Sequence, residues 1–168
     1  MKRPEPTEYA PYYERYISLV PEDADATLAG QPDEIRSLFT TVPEEKGSYA
    51  YAEGKWTVKE LLSHLIDGER IFAYRALRIS RGDQTPIEGF EQDDYIENSN
   101  ANNRTFADLL DEFTFERKAN LRLFSNISEE GSRRIGTASG NPVSARAIAY
   151  IMAGHVRHHI GVLKERYL

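Results

Sequence analysis

An all-α four-helix bundle with one long crossover loop is the fold this chain predicts, and three observations carry the prediction. Apolar residues recur at three- and four-residue steps in four separate stretches, the spacing that lays one stripe along a helix. Strand-like alternation is confined to the brief run SYAYAEG at 48–54. A 24-residue polar segment, 81–104, separates the second stretch from the third, while the other links are short.

The first helix is expected over Asp25 to Val42 on Leu28, Ile35, Leu38 and Phe39. Gly30 and Pro32 interrupt it, so the expectation is a kink or two abutting pieces. The second helix has the clearest start. Thr57 and Glu60 have capping-box spacing, with Trp56 and Leu61 as the hydrophobic staple. From there Val58, Leu61, Leu62, Leu65, Phe72 and Leu77 form a stripe reaching Ser80. The third runs from Thr105 to Asn126, capped by Thr105 with Asp108, and buries Phe106, Leu109, Leu110, Phe113 and Phe124. The fourth starts near Ser144, after the turn Gly140-Asn141-Pro142, and carries Ile148, Ile151, Met152, Val156, Ile160 and Leu163 inward. No internal repeat is visible, and 168 residues suit a single domain spanning 1–168.

Composition narrows the function. With 40% hydrophobic and 29% charged residues the chain is an ordinary globular sequence, and a net charge of -6 disfavours nonspecific nucleic-acid binding. Charge is uneven: 81–104 carries six acids against two arginines, whereas 143–168 carries Arg146, Arg157, Lys164 and Arg166 against Glu165. Zero cysteines exclude a disulfide framework and leave no thiol nucleophile in the protein, so any reacting sulfur comes from a substrate. Neither a signal-peptide core nor an 18-residue apolar run is present, which makes the cytoplasm the default location, away from membranes.

All four histidines fall in two stretches, His64 in LLSHLIDGER and His155, His158 and His159 in AGHVRHHIGVL. His155 and His159, at i and i+4, share one helix face, and His64 lies beside the apolar stripe of a different helix. Three imidazoles meeting there would hold one divalent ion with a position left open, as catalytic sites do. Zinc and nickel lead the expectation, and manganese or iron also accept such ligands. His158 lies 100° around the helix from His159 and points elsewhere, as a surface or supporting residue. Asp67, at i+3 from His64, is either a solvated acid or an orienting carboxylate, while Glu60 serves the capping box. Arg157 is placed to meet an anionic group or to sit in solvent. Phe90, Asp94, Tyr95 and Asn98 in the crossover either line the site or anchor the loop. Tyr9, Tyr12, Tyr13 and Tyr16 either stack on a ligand or pack the N-terminal segment.

The motifs YERYISLVP, GKWTVKELLSHLIDGERIFAYRALRISRGD, GTASGNP and AGHVRHHIGVLKERY together resemble the DinB-like, YfiT-related metal-binding four-helix proteins, over nearly everything from Tyr12 to Tyr167. The resemblance implies an up-down-down-up bundle, frequently a homodimer, holding a divalent ion on the residues that match its ligand motif, His64, His155 and His159. It also implies transfer of a low-molecular-weight thiol of the bacillithiol or glutathione type to an electrophile. The alternatives are a metal-dependent hydrolase activating water, and a non-catalytic metal- or ligand-binding dimer.

Overall fold

The computed structural model describes residues 1–21 and 23–168. Its elements in chain order are a short helix α1 (Glu14–Ile17) after two 3-10 turns, α2 (Ala24–Phe39), α3 (Val58–Ser80), a short α4 (Gln92–Glu97), α5 (Phe106–Ser125), a short α6 (Glu129–Arg133), strands β1 (Ile135–Ala138) and β2 (Asn141–Ser144), and α7 (Ala145–Arg166). The long helices α2, α3, α5 and α7 build the bundle, in which α2 and α3 each pack against both α5 and α7.

Two apolar clusters fix the chain direction. One gathers Leu28 of α2, Ala76 and Ile79 of α3, Phe124 of α5 and Ile148 of α7. The other gathers Ile35 and Phe39, Leu61 and Leu65, Leu109 and Phe113, then Ile160 and Leu163. The start of α2 and of α7 therefore lies at the same end as the finish of α3 and α5, which is an up-down-down-up path. Because α3 and α5 run the same way, the link between them must travel the length of the bundle, and this accounts for the long segment 81–104. Burying each of these leucine, isoleucine and phenylalanine side chains contributes about 1.5–3 kcal/mol.

Local chemistry sets the helix starts as expected. Thr57 accepts from the Glu60 amide and Glu60 accepts from the Thr57 amide, a complete capping box. Thr105 caps α5 through the Asp108 amide, and Ser144 caps α7 through the Ala147 amide.

Two expectations are corrected. Of the two alternatives for the first helix, two abutting pieces is overturned, since α2 is one helix with Pro32 inside it. Proline has no N–H, so the carbonyl four residues earlier loses its helical donor. That carbonyl belongs to Leu28, and the buried guanidinium of Arg117 on α5 donates to it at 3.0 Å. The second correction concerns strands. SYAYAEG forms none, while residues 135–144 form an antiparallel hairpin, with Ile135 opposite Ser144 and Ala138 opposite Asn141. At its tip Ser139 and Gly140 both have positive φ, 50° and 75°, the backbone of a two-residue hairpin turn. Ile87 of the crossover pairs beside this hairpin, donating to Thr137 O and accepting from the Ser139 amide, each at 2.9 Å. No described helix is long and apolar enough to cross a membrane.

Candidate metal centre

His64 lies in the second turn of α3, where the capping box sets the helical register, and α7 runs antiparallel beside it carrying His155 and His159. The three rings converge. His64 Nε2 and His155 Nε2 face each other at 2.9 Å, ring centroids are 4.8 Å (His64–His155), 4.9 Å (His64–His159) and 4.6 Å (His155–His159) apart, and one nitrogen from each ring lies within 4.8 Å of the others. Gly68, one turn beyond His64, leaves room for this, since a Cβ there would stand 3.3 Å from the His155 ring.

Burial decides the charge of the cluster. His64 and His155 are 5% and 6% exposed and His159 is half-buried. Desolvation pulls the pKa of His64 down to about 4 and that of His159 down to about 3, the latter helped by the neighbouring His64. His155 is driven well below its ordinary value by burial first and by His159 and His64 next. All three rings are therefore neutral at pH 7 and present lone pairs.

This arrangement fits a cation. Among the described residues His159 Nδ1 is buried without a hydrogen-bond partner, an omission that normally costs free energy. Neutral imidazole nitrogens are the donors that divalent ions such as zinc take, and these three would hold one. Among the described residues no Asp or Glu joins the three histidines.

The surroundings are aromatic. The Trp56 ring centroid lies 4.6 Å from that of His64, and Tyr16 and Phe72 meet His155 edge-on at 5.5 and 5.6 Å. Tyr16 reaches this place because α1 crosses α7 at Gly154, where a Cβ would collide with the Tyr16 carbonyl. From the histidines a cavity of about 400 Å³ opens between the tyrosines of the N-terminal segment, Phe72 and Arg75 of α3, and Phe90 of the crossover.

The other candidates lie further out. Asp67 lines a separate cavity with Arg70, Asp94, Tyr95 and Asn98, and burial raises its pKa. His158 stacks edge-on against Tyr16 at 5.5 Å. Arg157 donates to the Leu19 carbonyl, fastening the N-terminal segment to α7. Of the crossover candidates, Phe90 lines the histidine cavity. Sequence reading passed over Trp56 as a ring over the site and missed Arg75. The signal for Arg75 was present, because position i+11 from His64 returns to the same helix face after three turns.

A model of the DinB superfamily matches residues 27–163. The chain belongs to the DinB superfamily. Among solved structures, YfiT from Bacillus subtilis, described as a probable metal-dependent hydrolase with an unusual four-helix bundle topology, is similar with a TM-score of 0.76 at 15% identity, covering 98% of this chain and 90% of that one. A DinB-like protein from Bacillus subtilis, YjoA, is similar with a TM-score of 0.59 at 19% identity, covering 85% of this chain and 87% of that one. No curated protein matches the sequence. At these identities the structural likeness speaks to the fold. The DinB path through the bundle is the one traced by the two apolar clusters.

Proposed function

We propose that this DinB-superfamily chain is a divalent-metal-dependent enzyme that joins a small thiol to an electrophile, with His64, His155 and His159 as ligands. The observation that carries the reading is the convergence of three neutral imidazoles, with no carboxylate in the group among the described residues, beside an aromatic cavity that His64 and His155 line. A divalent ion there, zinc or nickel by preference for imidazole, supplies the positive charge that lowers the pKa of a thiol or water beside it.

The chain's own residues bind, orient and exclude water. Trp56, Tyr16 and Phe72 wall the histidines with apolar surface, which strengthens electrostatic interactions inside. With no cysteine in the sequence, the reacting sulfur belongs to the substrate. A thiol needs less help than water from a protein base, since its ordinary pKa is about 8.5. The thiol proton leaves to solvent, the sulfur electron pair forms the new S–C bond, and the leaving group departs with its own bonding pair. Hydrolysis is the second reading. It is favoured by the likeness to YfiT, and there water takes the place of the thiol.

The test incubates zinc-loaded and nickel-loaded protein with a chloro-dinitroarene and a panel of small thiols, then with activated esters and no thiol. Thiol-dependent turnover that falls at least about 100-fold in His155→Ala is the expected result, since loss of the centre removes its whole contribution. Thiol-independent ester cleavage would establish hydrolysis instead. Metal binding with silence in every assay would overturn both and leave a non-catalytic metal-binding protein.

A further inference from the structure

Arg75 is a buried cation without a counter-ion. It is 4% exposed, and its neighbours on α3 are paired, Arg70 with Glu112 and Glu116 and Arg78 with Asp83, whereas Arg75 forms no ion pair among the described residues. Its Nη2 donates to Ser139 Oγ at 2.9 Å and to the Glu88 carbonyl at 3.2 Å, its guanidinium lies 6.0 Å from the Phe90 ring centre, and its buried Nε has no hydrogen-bond partner among the described residues. A charge taken out of water is normally matched by an opposite charge or moved back to the surface. Here it is held inside.

The place where it is held has a direction. Arg75 lines the same cavity as His64 and His155. His64, Ile71 and Arg75 fall on one face of α3, with about 16 Å of helix axis from the first to the last. Ser139 is kept beside it by the hairpin turn, in the left-handed conformation that a non-glycine residue adopts at a cost. The cavity thus has a neutral metal-ligand set at one end and an uncompensated guanidinium at the other. Glu91 is the carboxylate residue along its lining, and it is exposed at the mouth.

We propose that the cavity binds an elongated organic acid whose carboxylate is held by Arg75 Nε and the Ser139 hydroxyl while its far end reaches His64 and His155 of the histidine cluster. One unpaired cation and a short donor set suit a single negative charge better than a phosphate dianion. Arg157, the other arginine considered for an anionic group, donates to the Leu19 carbonyl and is not among the residues that line this cavity. The proposal deepens the function proposed above and rests on it only for which end of the ligand reacts.

The test compares 6-mercaptohexanoate with 6-mercaptohexanol on zinc-loaded protein by calorimetry and by fluorescence of Trp56, the one tryptophan in the chain. The acid binds about 10- to 100-fold more tightly than the alcohol, the worth of a charge-assisted hydrogen bond in a buried site. That advantage disappears in Arg75→Met with the thermal melt retained. Should Arg75→Met fail to fold, Ser139→Ala at the exposed hairpin tip serves in its place and cuts the advantage several-fold. Equal affinity for acid and alcohol in the unaltered protein, or an undiminished advantage in either variant, overturns the proposal. A third probe, hexyl phosphate, overturns the carboxylate assignment if it binds more tightly than hexanoate. Hexanoate favoured over hexanol in metal-free protein, with no zinc-dependent gain for the thiols, keeps the anion site and sinks the thiol reading. Zinc-dependent thiol binding without an acid advantage does the reverse.

Discussion

Two buried polar clusters share α3, and they are built on opposite terms. Glu69, facing α5, is 1% exposed and sits against Arg117, which is fully buried. Arg117 donates Nε to Glu69 at 2.8 Å and Nη2 at 2.5 Å, and its Nη1 serves both the Leu28 carbonyl and Gln31. Asn120 donates to Glu69 at 3.0 Å, and Gln31 donates to the Ala153 carbonyl at 2.7 Å. Five residues earlier, on the face toward α7, His64 joins His155 and His159, where lone pairs converge and His159 Nδ1 has no hydrogen-bond partner among the described residues. The first cluster is complete within the chain. The second is not, and incompleteness in an otherwise well-satisfied interior marks the place where something from outside belongs.

The comparison breaks most visibly if the closed cluster proves dispensable. Arg117→Met strands the buried Glu69 carboxylate and frees the Leu28 carbonyl, and is expected to cost about 3–5 kcal/mol, lowering Tm by about 10 °C in a chain of this size. Adding Glu69→Leu removes the stranded charge and restores most of that loss, as replacement of a whole buried pair commonly does. Thermal melts of the single and double variants check both statements. A single variant as stable as the parent would mean the closed cluster carries no structural load.

The open cluster predicts a smaller effect, read through pH on metal-free protein. In the folded chain burial holds His64 near a pKa of about 4, while in the unfolded chain it returns to about 6.5. Between those values the unfolded state binds more protons, so stability falls as pH drops below 6.5 and the loss is complete near pH 4. For His64 this amounts to on the order of 2 kcal/mol by pH 5, with His159 and His155 acting in the same direction. Urea unfolding at pH 7 and pH 5 measures it, in a window where most carboxylates stay ionised. Unchanged stability would contradict burial as neutral rings. The smallest effect comes from His159→Leu, which replaces a ring whose Nδ1 has no hydrogen-bond partner among the described residues by an apolar side chain of similar size. The metal-free variant is expected to melt within about 1 kcal/mol of the parent, or above it.

How much of this was legible in the sequence follows from the range over which each feature is determined. Helical period alone places His155 and His159 on one face, and the Thr57–Glu60 box sets the angle at which His64 enters, so the three-histidine cluster was readable. The continuity of α2 was not. Pro32 is a local defect, and its remedy comes from Arg117 in another helix. Nor was the hairpin, because its strands are four residues each and part of its edge is covered by Ile87 from the crossover. Arg75 sat on a legible stripe but belongs to a residue type that normally seeks water, and only the packed fold shows it without a counter-charge. Trp56 precedes the helix, so periodicity does not say where its ring falls.

The central claim is that the three histidines are an unfinished cluster which one divalent ion completes. The direct measurement is a calorimetric titration of chelator-treated, tag-free protein with zinc and with nickel, run on the unaltered chain and on His64→Ala at pH 7. One equivalent bound by the unaltered chain, accompanied by a rise in Tm, and none bound by His64→Ala is the predicted result. Binding that is absent from the unaltered chain, or unimpaired by loss of the His64 ring, would contradict it.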